Sequence, residues 1–365
     1  MKILIACDKF KGSLDAQGVC DAIATGIIGV HADYIITKIP MADGGDGTME
    51  ILKNQLDFRP HEIDSIDALG RPIRTTYFTS EETAYVELAE ASGIARLGAH
   101  ELDPLAANAI GTGLMIKDAI TNGYQNIVLS IGGSASTECG MSIAHTLGCQ
   151  FLDDNGQAII PSGGNLLEIK TIQPPSNGLN LRLSVLCDVK NPLYGPKGAA
   201  YVYAPQKGAS ETEVKLLDRG LRHVASVIHQ HSGRDISSLV GGGAAGGIAA
   251  GLYGLINAQV MSGFDYLSNA LHLEDHIAEA DLIITGEGKL DQQSLSGKVV
   301  GSIAELCQKH KKALIAVVGS NQFSDTELST AGISKVHAIM GITDSQEDAT
   351  KHVQGYLREI GSVIL

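Results

Sequence analysis

Short apolar runs alternate with amphipathic helical segments along this chain, and this alternation limits the folds that it can adopt. The first run, residues 2–7, is continuous, as in a parallel strand that is buried on both faces. An apolar stripe at helical spacing follows between residues 19 and 27, and Ser13 fits the N-cap of its helix. Because strands alternate with helices, the sequence predicts an α/β fold with parallel sheets.

The same pattern predicts further elements in the rest of the chain. A hairpin is expected where two β-rich segments, 74–78 and 84–88, flank the polar residues 80–82. A helix should follow the strand predicted at 281–285, with its apolar face formed by Val299, Val300, Ile303, Leu306 and Cys307. Other strands are expected at 34–39, 126–131, 181–187, 313–318 and 335–340.

The 365 residues suggest about two domains, but the sequence contains no obvious linker between them. Interleaved domains are therefore favoured over domains in series. Because the net charge is −14, neither nucleic acid nor anionic lipid is an expected partner. Residues 236–264 are uncharged and long enough to span a bilayer, but their eight glycines favour a buried loop and helix.

Cysteine usage and the N-terminal residues indicate the compartment. The six cysteines are scattered and form no C-x-x-C pair, as expected for free thiols in a reducing cytosol. The apolar run at the N-terminus ends at Asp8, which makes it too short for the apolar region of a signal peptide. We therefore expect a cytoplasmic protein without a membrane segment, and a homodimer stays open as its assembly.

A loop with two lysines, residues 8–13, joins the first predicted strand to the first predicted helix. Ligands of open α/β sheets bind at the carboxyl ends of strands, and a helix N-terminus offers free N–H groups. Lys9 and Lys11 are therefore candidates to neutralise phosphate or carboxylate charge, with Ser13 beside them. The alternative is a solvated loop in which Ser13 only caps the helix.

A loop rich in glycine and aspartate follows the second predicted strand. A single Asp-Gly step usually marks a turn, but this loop combines two carboxylates with several glycines and a hydroxyl. Because Mg²⁺ binds hard oxygen ligands, Asp43 and Asp46 are its candidate ligands. Gly44, Gly45 and Thr48 would then contact the phosphate groups.

The strand predicted at 126–131 is followed by small and hydroxyl-bearing residues, among them Gly132, Gly133 and Ser134. Their N–H and O–H donors can hold a phosphate or a carboxylate. A hydrolase nucleophile elbow is excluded, because the pattern G-x-S-x-G requires glycine where Ser136 stands.

A fourth loop, residues 285–291, contains Glu287, Lys289 and Asp291 and runs on to a Ser-Gly-Lys sequence. This region resembles a P-loop, but Gln292 stands where the pattern needs its first glycine and Val299 where it needs serine or threonine. Any ATP site here is therefore outside the P-loop class.

One further motif leaves a different class of enzyme open. Residues Gly241–Gly246 fit G-x-G-x-x-G, the pattern of dinucleotide-binding loops. No strong strand precedes it, and no βαβ unit surrounds it in the required place. An NAD-linked oxidoreductase that uses this loop is the alternative function.

Taken together, the loops resemble the glycerate kinase family of bacteria, class I. The segments that carry the resemblance occur in order along the chain, at 8–13, 40–48, 132–135, 187–189, 191–193, 205–209, 241–247 and 284–291. The resemblance implies two α/β domains. A flavodoxin-like domain would comprise residues 1–75 and 282–365, and the second α/β domain, residues 76–281, would be inserted in it.

The resemblance also implies a kinase that depends on ATP and Mg²⁺ and phosphorylates D-glycerate, with 2-phosphoglycerate as the preferred product. Phosphoryl transfer needs one carboxylate to accept the hydroxyl proton, and Asp188 follows an apolar strand, where such sites form. Lys9 and Lys11 would act with Asp188 in catalysis, and Asn191 and the loop 285–291 would bind nucleotide or substrate. Alternatively, Asp188 only caps a turn.

The sequence departs from the family pattern in three places. Cys7 stands where the family usually has proline, and Asp46 where it often has glutamate. After residue 135 the family typically continues Thr-Asn-Asp-Gly-Gly, whereas this chain has Ser-Thr-Glu-Cys-Gly. Because one carboxylate is longer and one amide is missing, Glu138 receives no catalytic role, and a catalytically impaired binding relative is a second alternative.

Overall fold

The computed structural model describes residues 1–42, 48–176, 178–292, 294–295, 298–343 and 345–365. In chain order its strands are β1 (Lys2–Cys7), β2 (Ile35–Lys38), β3 (Arg59–Ile66), β4 (Pro72–Ser80), β5 (Thr83–Glu87), β6 (Asn126–Ser130), β7 (Gln150–Leu152), β8 (Ala158–Ile159), β9 (Thr171–Gln173), β10 (Arg182–Leu186), β11 (Gln259–Met261), β12 (Leu282–Leu290), β13 (Ala313–Asn321) and β14 (Lys335–Ala338).

The α-helices are α1 (Ala16–Val30), α2 (Thr48–Gln55), α3 (Ala89–Ser92), α4 (Ile110–Thr121), α5 (Met141–Thr146), α6 (Ala199–Tyr203), α7 (Glu211–Ser232), α8 (Ile248–Ile256), α9 (Gly263–Ala270), α10 (Leu273–Glu279), α11 (Val299–His310), α12 (Asp325–Thr330), α13 (Gln346–Lys351) and α14 (Val353–Val363). Every strand predicted above overlaps an observed strand, and the helix predicted to bury Val299, Val300, Ile303 and Cys307 is α11.

The chain divides into two units. Unit 1 combines Met1–Gln55 with Ser262–Leu365, and unit 2 is the continuous segment Leu56–Met261. The predicted boundaries at 75 and 281 differ from this division, because β3 pairs with β4 in a sheet of unit 2, whereas α9 and α10 belong to unit 1. The assignment of these units as domains stays a prediction.

Unit 1 is built on a five-stranded parallel sheet in the order β2-β1-β12-β13-β14. Numbered within the unit, this is the flavodoxin-like order 2-1-3-4-5, whose switch point lies between β1 and β12. Ile5 and Ile284 pair across that point and are fully buried. The predicted α/β class is confirmed.

Helices α1 and α14 bring the two ends of the chain together on one core of unit 1. An ideal Cβ on Gly26 of α1 would lie 2.1 Å from the carbonyl oxygen of Arg358 in α14. The helices therefore approach too closely for a larger side chain at this position.

Unit 2 contains a six-stranded sheet in the order β11-β10-β6-β5-β4-β3. The strands β11, β10, β6 and β5 are parallel, and β4 and β3 continue the sheet antiparallel. The predicted hairpin is formed by β4 and β5, with Ser80 opposite Thr83. A second, three-stranded antiparallel sheet has the order β8-β7-β9.

The N-cap of α1 is Asp15, so the prediction of Ser13 as the cap is wrong. The Asp15 carboxylate accepts a hydrogen bond from the Gly18 N–H at 2.6 Å. Ser13 lies in the preceding turn, and its hydroxyl donates to the Phe10 carbonyl at 3.0 Å. Aspartate caps a helix about as well as serine, and Asp15 lies directly before the first helical residue.

Strand β12 continues past the predicted 281–285 to Leu290, because its pairing with β13 continues through its glycines. Gly286 pairs with Val317, and an ideal Cβ there would lie 2.2 Å from the Val317 carbonyl oxygen. Gly319 of β13 approaches the Gly288 carbonyl oxygen equally closely, at 2.2 Å from its ideal Cβ. Glycine inside a strand often marks such a close approach of two backbones. Most of the loop predicted at 285–291 therefore belongs to β12.

Within the residues that the structure describes, no helix is both long and apolar enough to cross a membrane. The uncharged stretch 236–264 is divided among a 3₁₀ helix (Ala244–Gly247), α8, β11 and the start of α9. Most residues of α8 are buried in the cores of unit 2.

Candidate functional site

The carboxyl edge of the unit 1 sheet borders a cavity of about 950 Å³. Residues that follow β1 and residues from the carboxyl half of β12 line it, so it lies at the switch point, where ligands of such folds bind. The cavity brings together the predicted site residues Lys9, Lys11, Ser13, Glu287, Lys289 and Asp291. Asp8 and Lys298 line it as well.

Hydrogen bonds hold the loop that carries Lys9 and Lys11. The Asp8 N–H donates to the Gly286 carbonyl at 2.8 Å, which ties the end of β1 to β12. The Asp8 carboxylate accepts the Lys9 N–H at 2.7 Å, and Phe10 is buried as an apolar anchor. Lys11 stays exposed, so its flexible side chain can reach an anion in the cavity.

Glu287 is a buried carboxyl group on the wall of this cavity. It is only 8% exposed, and within the described part of the chain its Oε1 atom has no hydrogen-bond partner. Burial raises the pKa of Glu287 to about 7, against the opposing effects of the Ser294 hydroxyl and the Lys298 charge. A buried oxygen without a partner on a cavity wall is a candidate to bind a ligand.

Lys289 and Asp291 form an ion pair on the cavity wall, with 3.3 Å between Nζ and Oδ2. Because the Lys289 side chain is 56% exposed, water competes for this ammonium group and it can turn toward a bound anion. The Ser294 hydroxyl accepts the Asp291 N–H at 2.9 Å and donates to the Lys289 carbonyl at 3.2 Å. These two bonds fix the turn that follows β12.

The predicted metal and phosphate loop lies outside the described residues, which stop at Ala42 and resume at Thr48. The predicted site residues within that gap are Asp43, Gly44, Gly45 and Asp46. Thr48 itself is the first residue of α2 and is buried. Among the described residues, no three His, Cys, Asp or Glu side chains are grouped so that they could hold a metal ion.

A second cavity in unit 1, of about 170 Å³, is lined by residues on both sides of this gap, including Met41, Ala42 and Glu50. Its described lining residues include carboxylates and amides but neither cysteine nor histidine. This donor set fits Mg²⁺, which prefers hard oxygen ligands.

In unit 2, the loops that follow β6 and β10 leave the sheet at one edge, because these strands are parallel neighbours. The first loop carries the predicted residues Gly132, Gly133 and Ser134. Gly132 is exposed, and no described residue comes within 4 Å of an ideal Cβ on it, so a ligand can approach its backbone. The second loop carries Asp188, which is half-buried.

Asn191 holds its own loop together. Its amide nitrogen donates to the Lys197 carbonyl at 2.8 Å, and its side-chain oxygen accepts the Tyr203 hydroxyl at 2.7 Å. Its backbone carbonyl accepts the Gly243 N–H at 2.9 Å. The residue therefore fixes the chain that follows Asp188.

Two buried charged groups lie beneath the loop after β6. Lys207 is 3% exposed and Glu138 is fully buried. The Lys207 ammonium donates to the Ser136 carbonyl at 2.5 Å, whereas the Glu138 carboxylate accepts the Ser136 hydroxyl at 3.3 Å and the Ser142 N–H at 3.0 Å. Burial lowers the pKa of Lys207 to about 7, against the charge of Glu138, and burial raises the pKa of Glu138.

Asp8, Lys298 and Lys207 were not predicted as site residues, although the sequence contained a signal for each. Asp8 lies directly before Lys9, Lys298 closes the sequence that fails as a P-loop, and Lys207 lies in one of the segments that carry the family resemblance. No signal pointed to the cavity wall formed by α13 and α14, since its apolar residues resemble ordinary core positions.

Comparisons with known proteins find matches along the whole chain. The family model of the glycerate kinase family matches residues 3–365. A glycerate 2-kinase of Escherichia coli is 36% identical over 356 residues, which cover 96% of this chain and 93% of the relative. An uncharacterized protein of Synechocystis is 39% identical over 366 residues, or 98% of this chain and 96% of that protein.

A solved structure has the same fold. It is the crystal structure of a candidate glycerate kinase 2 from Salmonella typhimurium LT2, with a TM-score of 0.84 and 34% sequence identity. The match covers 100% of this chain and 98% of that protein.

Proposed function

This chain belongs to the glycerate kinase family and is a kinase, and we propose that it converts ATP and D-glycerate to ADP and 2-phosphoglycerate. The observation that carries the proposal is the lysine-rich cavity at the switch point of a flavodoxin-like sheet, in a chain that matches the family model over residues 3–365. In such a sheet the switch point is the expected nucleotide site.

The triphosphate of ATP would bind in the unit 1 cavity. Lys9, Lys11, Lys289 and Lys298 line it and supply the positive charge that a triphosphate needs. In phosphoryl transfer, the protein contributes mainly by positioning the groups and by neutralising charge on the transferred phosphoryl group. Lysines that follow β1 and lie in or after β12 suit both tasks.

Glycerate would bind at the loops of unit 2. The accessible backbone at Gly132 and Gly133 can hold its carboxylate, and Asp188 would accept the proton of the attacking hydroxyl. The Ser134 hydroxyl is buried and accepts the Ser136 N–H at 3.2 Å, so it supports this loop from within. The new bond forms between the glycerate oxygen and the γ-phosphorus. The bond from that phosphorus to the β–γ bridging oxygen breaks, and ADP leaves.

Mg²⁺ would be held by Asp43 and Asp46 together with phosphate oxygens, since Mg²⁺ usually takes one or two protein carboxylates. Bound there, it would neutralise charge on the β- and γ-phosphates. The carboxylates of Asp8, Asp15 and Glu50, which are among the residues that line the 170 Å³ cavity, are of the kind that Mg²⁺ binds and support the choice of ligands.

The test is ADP release on mixing the protein with ATP, Mg²⁺ and D-glycerate, followed by ³¹P NMR of the product. We expect ADP release that requires D-glycerate, stops on addition of EDTA, and yields the phosphorus resonance of 2-phosphoglycerate. The resonance of 3-phosphoglycerate would overturn only the position of transfer. Absence of glycerate-dependent ADP release would overturn the proposed activity.

The alternative functions receive less support. The glycines of 241–247 are packed against the protein's own backbone, since an ideal Cβ would lie 2.3 Å from the Pro192 oxygen at Gly243 and 2.3 Å from the Ser136 oxygen at Gly246. These close contacts explain the glycines without a dinucleotide, because no larger side chain would fit there. Glu138, where the sequence departs from the family pattern, belongs to a buried hydrogen-bonded cluster. Its role is therefore structural, and it gives no support to a catalytically impaired relative. A cytoplasmic location and a homodimeric assembly stay predictions.

A further inference from the structure

The unit 1 cavity differs in chemistry from one side to the other. Along the carboxyl edge of the sheet, charged residues follow β1 and lie in and after β12, whereas the β14 side is lined by the apolar residues Ile339 and Met340. Adjacent strands lie about 4.8 Å apart, so β1 and β14 are separated by roughly 14 Å. The charged end has four lysines against the three carboxyl groups of Asp8, Glu287 and Asp291, so it favours an anionic group, whereas the other end favours an apolar one.

Helices α13 and α14 complete the apolar side. Ala349 and Val353 line the cavity there and also pack against the hydrophobic core of unit 1. Met340 is 39% exposed, so a large flexible side chain borders the space without filling it. The apolar side chains on this side suit a flat, uncharged ring.

Helix α13 places two polar residues on that wall, Thr350 and, at the start of the helix, Gln346. The Gln346 side chain is exposed, and its backbone carbonyl accepts the Thr350 hydroxyl at 2.8 Å, which engages Thr350 with the helix itself. A carboxamide both donates and accepts, which is the pattern that pairs with adenine. A carboxylate at the same place would only accept, which suits the N–H groups of guanine.

We propose that the β14 side of this cavity is the base-binding subsite for ATP, where adenine lies between Met340, Ala349 and Val353 and pairs with Gln346. The triphosphate then extends along the strand ends toward Lys9 and Lys11. This assignment rests on the proposed use of ATP and adds to it the subsite that selects the base.

The first test compares two ligands that share only the phosphate end. In Ala349→Phe, the ring should occupy the base subsite, so the KM for ATP should rise at least ten-fold. The inhibition constant of inorganic tripolyphosphate, measured against ATP, should stay within two-fold. Ala278→Phe, at an exposed position of α10 in the same unit, is the matched control and should change neither constant.

The second test concerns base preference. Gln346→Glu should lower the ratio of kcat/KM for ATP to that for GTP by about ten-fold or more, because it replaces a donor with an acceptor. Unchanged ATP kinetics in Ala349→Phe, with normal turnover and melting temperature, would overturn the subsite. So would an equal rise in both constants of that variant. Failure of the wild-type protein to release ADP would overturn the proposed kinase reaction instead, which keeps the two inferences separable.

Discussion

Both units place charged side chains near the carboxyl ends of parallel strands, but they expose those charges to water very differently. In unit 1, the Lys289 side chain is 56% exposed and Lys11 is exposed beside it in the same cavity. In unit 2, Lys207 is 3% exposed and Glu138 is fully buried. The same residue types therefore serve two purposes: exposed charges can move onto a ligand, whereas buried charges hold the protein's own loop in place.

The reason lies in the cost of removing a charge from water. A buried ammonium or carboxylate is tolerated only with hydrogen-bond partners, and Lys207 and Glu138 both find theirs at Ser136. The loop that carries Gly132 and Gly133 is thereby fixed before any ligand arrives. In unit 1, Lys11 and Lys289 remain exposed to water, which a bound phosphate can replace.

The largest effect is expected when one buried charge of unit 2 is removed. Lys207→Met takes away the donor to the Ser136 carbonyl and leaves Glu138 without its counter-charge, so the free energy of unfolding should fall by about 3–5 kcal/mol. Denaturant titration followed by circular dichroism measures it. Addition of Glu138→Gln should recover part of the loss, because no buried charge then remains.

Lys215→Met, at an exposed position of α7, is the matched control and should leave stability within about 0.5 kcal/mol. An equally small effect of Lys207→Met would show that Lys207 does not hold the loop, and the contrast between the units would lose its basis.

The next effect concerns Asp188, the charged side chain of unit 2 that we expect to reach the substrate. As the base, Asp188→Asn should lower kcat by about 10²–10⁴-fold, with little change in the KM for ATP or in the melting temperature. Initial rates of ADP release give kcat, and Asp154→Asn at an exposed position of the same unit is the control. If kcat stays near the wild-type value, Asp188 is only a turn cap, and another carboxylate must accept the proton.

The pH dependence of stability tests whether unit 1 also contains a buried ionisable group, Glu287. Its folded pKa of about 7 lies above its ordinary 4.5, so the stability due to its protonated form is complete below pH 4.5 and is lost as the pH rises through 7. The loss should be on the order of 3 kcal/mol. In Glu287→Gln, the unfolding free energy should change less between pH 4.5 and 8 than in the wild type. Glu305→Gln, exposed on α11, should keep the wild-type profile, and identical profiles for all three proteins would contradict this assignment.

The smallest effect is expected at an exposed lysine. A charge-assisted hydrogen bond contributes about 1.5–3 kcal/mol, so Lys11→Met should lower kcat/KM for ATP by roughly ten- to a hundred-fold. Stability should not change, in contrast to Lys207→Met. Lys335→Met, at the opposite end of β14 from the cavity, is the control. An unchanged kcat/KM would return Lys11 to a solvated loop.

The α/β class and most strands could be predicted because buried strands such as β1 and β10 are short apolar runs with clear ends. Strand β3 was missed because it contains Pro60 and several exposed polar residues, as an edge strand can. The full length of β12 was missed because Gly286 and Gly288 normally indicate a turn. Only the neighbouring backbone, which a sequence does not contain, shows that these glycines permit a close approach.

The candidate site was predictable to the extent that its residues lie just past the ends of strands, as Lys9 and Asp188 do. The burial of Glu287 was not, because exposure depends on packing between distant segments. The wall contributed by α13 and α14 was not predictable either, since its residues come from a part of the chain without any loop motif.

The pairing of β1 with β12 has a consequence for synthesis on the ribosome. These strands are separated by the whole of unit 2, so β1 emerges long before its neighbour in the sheet. At elongation rates of about 5–20 residues per second, the delay is roughly 14–55 s. Unit 2 is continuous and can fold during that time, whereas the apolar β1 has to wait for β12, its neighbour in the sheet. The demand for chaperones during translation should therefore fall on the first 55 residues.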